Sequence, residues 1–416
     1  MVGGARALGG VSPTAGWGSA TRALVAVGAA VIEPGAPAGG RTSFSQARHR
    51  RPALGVWAAR GVGGAGVGPL IGGMLLEHFY WGSVFLINVP IVLVVMALTA
   101  RYVPRQQGRA DQPLHLNQAL ALIAAILLLV WSAKTAMKGT LPLWLVTSTL
   151  LIGGLLLTGF VRIQLAASRP MIDMRLFTHR VILSGALMAI MAMVTLVGFE
   201  LLMAQELQFV HGFTPFAAGV FMLPVMIASG FSGPIAGVLV SRLGLRYVAA
   251  GGMALSAISF FGLSLTNFST QPVQAAVLMA LLGFSAASAL LASTAAIMAA
   301  APKEKAAAAG AIETMSYELG AGLGIAVFGL ILSRTFSATI HLPQQLSAEA
   351  AAQASSSIGE AFRLARESEP ALGEGIIAAA KTAFTHSHSV ALSTASMLLV
   401  VLAIGMWFSL ARVEKS

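Results

Sequence analysis

The sequence contains no cysteine and few charged residues. Only 10% of its 416 residues are Asp, Glu, Lys or Arg, whereas a soluble domain carries about 25%. The absence of cysteine excludes disulfides, thiolate metal sites and cysteine nucleophiles. The sequence also lacks a glycine-rich loop ending in Gly-Lys-Ser/Thr, so ATP-driven chemistry is not supported. The scarcity of charge argues against an ordinary soluble domain.

Long apolar segments dominate the chain instead. Hydrophobic residues make up 56% of it, and the mean hydropathy is +0.81. Ten segments reach the length of about 20 residues that crosses a bilayer, and only helices satisfy their own backbone groups in such segments. We therefore predict an all-α polytopic membrane protein. The predicted spans are residues 55–76, 83–101, 116–136, 142–162, 181–205, 215–240, 247–266, 273–299, 307–332 and 388–410.

The net charge of +11 is explained by membrane orientation rather than by nucleic-acid binding. Most Lys and Arg residues lie in short connections between the apolar segments, where basic residues mark the cytoplasmic side. If all ten spans cross, 17 basic residues lie on one side and 6 on the other. This asymmetry predicts a multi-pass protein, partnered by the lipid bilayer and not by nucleic acid, with its C-terminus in the cytoplasm.

A glycine-rich stretch at residues 53–76 stands out among the predicted spans. Four glycines recur at spacings of three and four residues, which places them on one helical face. Such a stripe lets a neighbouring helix approach closely. Pro69 removes a backbone donor and predicts a bend, and Gly73 adds further backbone freedom. The glycines of the stripe are Gly61, Gly64, Gly68 and Gly72.

The string formed by Gly64, Gly68, Pro69, Gly72 and Gly73 resembles the antiporter motif of drug/proton antiporters in the major facilitator superfamily. Residues 77–90 are similar to the loop and sixth helix that follow the motif in the fourteen-helix branch. The resemblance extends from about residue 48 to the C-terminus. It implies the major facilitator fold with about 10–11 transmembrane helices.

The N-terminal part departs from the family pattern. Residues 22–34 resemble the fourth helix, whose motif arginine would be Arg22, while the first three helices have no counterpart. We therefore expect an N-terminally truncated fold; a misread start and a natural short form both stay open. The implied domains are an atypical segment at 1–50, the rest of the N-terminal half at 51–110, an inserted two-helix linker at 111–175 and a six-helix C-terminal half at 176–416. The last would include a polar extracytoplasmic loop at 334–386, helical near 347–354.

Residues 237–246 resemble the second copy of the family's gating loop. Arg242, Gly244 and Arg246 fit this pattern. Ser241 occupies a position where the family often has aspartate, which puts a charge relay in doubt. A glycine turn between basic residues at a helix end is also an ordinary loop, so both interpretations stay open.

Carboxylates inside predicted spans are the candidates for chemistry, because an ionisable group in a membrane is costly and usually functional. We predict proton or cation coupling at Glu200, Glu313 and Glu318, whereas Glu206, near the outer end of its span, is expected to contact solvent. Glu313 and Glu318 are separated by about 140° around the helix, so one can face a cavity and the other a neighbouring helix. The alternative for each is a structural hydrogen bond, for example to Tyr317.

The resemblance implies proton-coupled multidrug efflux of lipophilic cations, such as methyl viologen and quaternary ammonium compounds, across the bacterial inner membrane. Competition of a proton and a cationic drug for one carboxylate would produce antiport. Export of a dication costs about 4.6 kcal/mol per 100 mV, so at least two protons, and more than one carboxylate, are expected. The rival interpretations are an exporter of another solute and a truncated chain that inserts without transporting.

No enzymatic activity and no cofactor are predicted. His386 and His388 form an isolated His-x-His pair at a membrane edge. A tight metal site needs further ligands in a defined geometry, and the surrounding sequence offers none, so we expect no metal there.

Overall fold

A computed structural model describes residues 2–12, 14, 16–29, 68–102, 115–138, 141–168, 170–301 and 305–411. The first helices are α1 (Val2–Gly10), α2 (16–29), α3 (68–78), α4 (Ser83–Leu86), α5 (Asn88–Tyr102), α6 (Leu116–Lys138), α7 (Leu143–Ala166) and α8 (Arg180–Gln205). The remaining helices are α9 (Pro215–Phe221), α10 (Leu223–Leu243), α11 (Leu245–Leu265), α12 (Pro272–Ala300), α13 (Ala306–Thr339), α14 (Ala348–Ala354), α15 (Ile358–Glu367) and α16 (Pro370–Ala411). No strand occurs among these residues, which confirms the all-α prediction.

Eight segments in the described part of the chain are long and apolar enough to cross a membrane, and the bent pair α9 and α10 provides a ninth. These nine coincide with nine of the ten predicted spans. For the tenth, predicted at 55–76, residues 55–67 lie outside the described residues and helix α3 covers the rest. The polytopic membrane fold is thus confirmed.

Residues 215–240 form two helices rather than one continuous span. Helices α9 and α10 meet at Met222 with a bend of 43°. Pro224 follows immediately, and a proline ring excludes the hydrogen bond to the carbonyl four residues earlier. The predicted span at 215–240 is therefore present as a bent pair of helices.

Residues 334–386 are not a single loop, which corrects the predicted boundaries. Helix α13 continues to Thr339 and helix α16 already begins at Pro370. The two extensions contact each other, since the rings of Phe336 and Phe384 are 6.3 Å apart and both are buried. Helix α14 confirms the helix expected near 347–354, and the hydroxyl of Ser347 caps it by accepting from the Ala350 amide.

The described residues divide into two compact units. One unit comprises residues 1–110 and 213–226, and the other, called unit 2, comprises residues 111–212 and 227–416. In unit 2, α8 packs against α12 and α13, and α11 packs against α12 and α16. The end of unit 2 that carries residues 206–212, 266–271 and 340–369 is called the loop end below.

Helices α8 and α13 approach each other through glycines that the sequence analysis did not single out. A Cβ atom added at Gly320 would lie 2.5 Å from the Ile190 carbonyl oxygen, and one at Gly324 would lie 2.8 Å from the Val194 carbonyl oxygen. This is the small-xxx-small contact of membrane helices. It fixes the relative positions of the two helices that carry the predicted carboxylates.

Helices α6 and α7 form a hairpin held by polar side chains within the apolar surface. Ser132 donates to Thr149 over 2.8 Å, and the Gln164 amide donates to the Gln118 carbonyl oxygen over 2.7 Å. The Gln164 oxygen also accepts from the Ile172 amide at 3.1 Å. The predicted pair of helices is therefore present, whereas its role as a linker between two halves stays a prediction.

Candidate functional site

Glu313 is the carboxylate that the structure surrounds with hydrogen-bond donors. It lies about two turns into α13 and is half-buried. Its Oε1 atom accepts from the Tyr317 hydroxyl at 2.7 Å and also from the Thr294 hydroxyl on α12. The two hydroxyl oxygens lie 2.9 Å apart. The three side chains form a compact polar cluster, called here the Glu313 cluster.

Glu200 and Glu318 lie on more open faces of the two packed helices. Both residues are exposed in unit 2. Glu318 and Glu313 are on different faces of α13, as their spacing predicts. The hydrogen bond with Tyr317, considered above as an alternative for each glutamate, is therefore made by Glu313. The side chains of Glu200 and Glu318 are accessible.

Glu206 is buried, which contradicts the expectation that it contacts solvent. Its side chain is 1% exposed at the loop end of α8. The helix widens there into a π-turn over Glu206–Val210, a feature often found at functional sites. Thr385 donates to Glu206 Oε1 at 3.1 Å, and the Nδ1 atom of His388 lies 3.6 Å from Glu206 Oε2. This contact was not predicted, because Thr385 and Glu206 are 179 residues apart in the sequence.

A cavity of about 710 Å³ opens beside Glu206 at the loop end. Its wall combines the π-turn after α8, the end of α11 with the connection that follows it, and residues 381–389 within α16. His211 is 3.6 Å from Glu206 through its Nε2 atom, and its Nδ1 atom is 2.9 Å from the Ser269 hydroxyl. Further lining residues with polar or aromatic side chains are Phe268, Lys381, Thr385, His386 and His388.

Among the described residues of the predicted antiporter motif, Gly73 is the glycine that lies in close contact with another helix of its unit. A Cβ at Gly73 would lie 2.5 Å from the Phe216 Cα atom. Pro69 faces Gly219, whose added Cβ would be 3.2 Å from the Pro69 carbonyl oxygen. Gly68 and Gly72 have no described atom within 4 Å of an added Cβ. Gly61 and Gly64 lie outside the described residues, so the stripe as a whole stays a prediction, and the close contacts described here are those at Gly73 and Gly219.

The predicted gating segment is an ordered turn between α10 and α11. Gly244 has φ +87°, a conformation that favours glycine. The Arg246 Nε atom donates to the Trp407 carbonyl oxygen at 2.9 Å, and its guanidinium lies 3.8 Å from the centre of the Trp407 ring. Arg242 is exposed. The Ser241 hydroxyl donates to its own helix, at the Val238 carbonyl oxygen, so it forms no charge relay in this structure.

Arg22, the predicted fourth-helix residue, lies on α2 and is exposed. Its guanidinium carbon is 5.7 Å from the centre of the Phe85 ring. This distance is within the range of a cation–π contact. The fold therefore places Arg22 next to Phe85, a contact that was not predicted from the sequence.

One ion pair outside the membrane spans was not predicted. Lys305 lies 2.5 Å from Asp173 and joins the start of α13 to the short helix Met174–Thr178. The hydrogen bond from Lys305 lowers the pKa of the Asp173 carboxyl below its ordinary value. Asp173 also accepts from the Arg175 amide at 3.1 Å. The pair fixes the connection that precedes α8.

Comparison with known proteins gives a consistent result. Residues 1–324 match the family described as Major Facilitator Superfamily, and this match includes the segment 1–50 set apart above. The Methyl viologen resistance protein SmvA of Salmonella typhimurium is 72% identical over 404 residues, which are 97% of this chain and 82% of that protein. The Multidrug efflux pump LfrA of Mycolicibacterium smegmatis is 30% identical over 97% of this chain and 81% of its own length. The Multidrug resistance protein Stp of Mycobacterium tuberculosis is 29% identical over 80% of this chain and 62% of its own length.

Proposed function

The chain belongs to the Major Facilitator Superfamily, and on this premise we propose that it exports lipophilic cations in exchange for protons. Its relatives are named for resistance to methyl viologen and for multidrug efflux. The observation that carries the proposal is the set of three carboxylates on the packed helices α8 and α13. Glu313 is held by hydroxyl groups, while Glu200 and Glu318 are exposed.

In this proposal the Glu313 cluster binds the proton that competes with the drug. Two hydroxyl donors on one carboxylate oxygen hold the carboxylate in position. A cationic drug that approaches the carboxylate favours its charged form, so the arrival of the drug and the departure of the proton are coupled.

The charge balance requires more than one such group. A dication moved against an inside-negative potential costs about 4.6 kcal/mol per 100 mV. Two protons moving inward cancel that cost. Glu200 and Glu318, exposed on the same pair of helices, are the proposed further positions for a proton or the cation.

We place the chain in the bacterial inner membrane with its C-terminus in the cytoplasm. The 17-to-6 distribution of basic residues supports this orientation. The loop end then faces the extracytoplasmic side. Arg242 and Arg246 lie on the cytoplasmic side, where a gating role of this segment would be exerted.

Competition assays in cells expressing the chain test the substrate class. We expect methyl viologen and a quaternary ammonium compound to compete with ethidium for export, while neutral metabolites of similar size do not. Competition by the neutral metabolites alone would instead support an exporter of another solute. A chain present in the membrane that exports none of these compounds would support the transport-defective alternative.

A further inference from the structure

At the loop end, Glu206 and His388 form a buried acid–base pair that the proposed mechanism does not use. The Glu206 side chain is 1% exposed and that of His388 is 3% exposed. Neither the Oε2 atom of Glu206 nor the Nε2 atom of His388 has a hydrogen-bond partner among the described residues. Buried polar atoms without partners are rare and call for an explanation.

The two side chains come from distant parts of the sequence and are held towards each other. Thr385, one turn before His388 on α16, donates to Glu206 Oε1 at 3.1 Å. Ser389 on the same helix donates to the Ser264 carbonyl oxygen at 2.7 Å and so attaches α16 to the end of α11. These contacts leave Glu206 Oε2 facing His388 Nδ1 at 3.6 Å. A shift of less than about 1 Å would bring this distance to that of a charge-assisted hydrogen bond.

We propose that Glu206 and His388 together bind one proton, as an extracytoplasmic protonation site distinct from the Glu313 cluster. The proton is taken from the aqueous phase and lies between Glu206 Oε2 and His388 Nδ1, so that the pair changes its charge by one unit. Such a shared site titrates as a pair rather than as two independent groups. The assignment to the extracytoplasmic side rests on the orientation and coupling proposed above.

The burial of the pair selects a proton over an organic cation. Glu206 and His388 are nearly inaccessible, so a flat drug molecule does not reach the carboxylate without unpacking α8 from α16. Lys381 on the cavity wall also disfavours a cation by repulsion. A proton needs only a hydrogen-bonding route.

His211 lies between the cavity and Glu206, and we assign the relay of the proton to it. Its side chain is 15% exposed, and its Nε2 atom lies 3.6 Å from Glu206 Oε1. Its other nitrogen is 2.9 Å from the Ser269 hydroxyl on the cavity wall. The other titratable side chains that line the cavity beside the pair are His211 on the connection after α8, and Lys381 and His386 on α16. The aromatic ring of Phe268 covers His388, with ring centres 5.7 Å apart.

Proton uptake by the purified full-length chain tests this site without requiring transport. The protein is brought from pH 8 to pH 6, and the protons bound per chain are counted with a pH indicator for wild type, E206Q, H388Q and the double variant. The matched control is E374Q, which removes an exposed carboxylate from the same helix α16. E374Q controls for a carboxylate-to-amide change away from the pair, and we expect it to bind as many protons as wild type.

Sharing of one proton predicts non-additive losses. E206Q, H388Q and the double variant each bind about one proton fewer than wild type. A loss of two protons in the double variant would show two independent groups and overturn the proposal, as would an unchanged count in E206Q. Should E206Q fail to fold, H388Q decides: a loss of about one proton relative to wild type supports the shared site, and an unchanged count overturns it. Absence of drug export by the wild-type chain would count against the proposed function without altering these proton counts.

Discussion

Two hydroxyl groups, from Thr294 and Tyr317, position one carboxylate oxygen of Glu313. These two hydrogen bonds hold the Glu313 carboxylate in place between α12 and α13. Glu318, five residues further along α13, has an exposed side chain. At the residue scale, the two glutamates of one helix therefore have different environments and are assigned different roles in the proposal.

Replacing the carboxylate of Glu313 should remove export while the protein is still made. We expect E313Q to lower methyl viologen resistance at least tenfold, because an amide cannot exchange a proton for a cation. Y317F, which removes one donor and keeps the carboxylate, should give a smaller reduction. Resistance is measured at matched membrane protein levels, with E367Q as a control at an exposed position outside the spans. Undiminished resistance of E313Q would exclude Glu313 from the coupling mechanism.

The Asp173–Lys305 pair should stabilise the fold only at pH values where Asp173 is ionised. The pKa of Asp173 is lowered in the folded state, so its contribution is fully present above the ordinary pKa of 3.8 and is lost as pH falls through the lower folded value. We expect a double-mutant cycle with D173N and K305M to give a coupling energy of about 0.5–1 kcal/mol at pH 7. The coupling, measured by thermal unfolding in detergent, should decrease as the pH falls below 3.8 and Asp173 becomes protonated in the folded state. A pH-independent coupling would mean that packing, not charge, joins the two side chains.

The residue types of the site were predictable from the sequence, whereas their environments were not. Carboxylates in apolar segments are visible in a sequence because their cost in a membrane is high. Which of them becomes buried depends on the face that neighbouring helices cover. Glu206 was expected to contact solvent and is buried, since residues of α16 close over it. Glu200, predicted to lie deeper in the span, is exposed within unit 2.

At the scale of helices, the length of the apolar segments predicted which transmembrane helices exist, but it predicted poorly where each helix begins and ends. Helix α16 begins 18 residues before the predicted start at 388. The prediction began too late because the first part of the helix, rich in Ala and Thr, has a lower hydropathy than the rest. That part is nevertheless amphipathic. Ile376, Ala380 and Phe384 are buried at spacings of four residues, which is the pattern of one helical face. A periodicity test, rather than a hydropathy threshold, would have found it.

The glycine contacts of α3 provide a matched pair of variants for testing packing. G73A places a Cβ 2.5 Å from the backbone of Phe216, whereas G72A places one in open space. We expect G73A to be destabilised by about 1–3 kcal/mol through overpacking. G72A should be neutral or stabilised by up to about 1 kcal/mol, because alanine is the better helix former. Thermal unfolding of the purified variants measures both, and equal stabilities would refute the close contact at Gly73.

At the scale of the whole molecule, composition alone indicated a polytopic membrane protein, and the helices confirm it. The family required more specific information, namely the glycine–proline motif, and the comparison with known proteins confirms that assignment. The direction of transport and its coupling to protons depend on the relative stability of alternative conformations, which neither composition nor a sequence motif specifies.

Ethidium efflux from energised cells tests the central claim of proton-driven cation export most directly. Cells that express the chain are loaded with ethidium, and the loss of its fluorescence is followed with and without a protonophore. The account predicts efflux faster than in cells without the chain, and its collapse when the protonophore dissipates the proton gradient. Efflux that continues at the same rate with the protonophore present, or no efflux from a chain shown to be in the membrane, would contradict it.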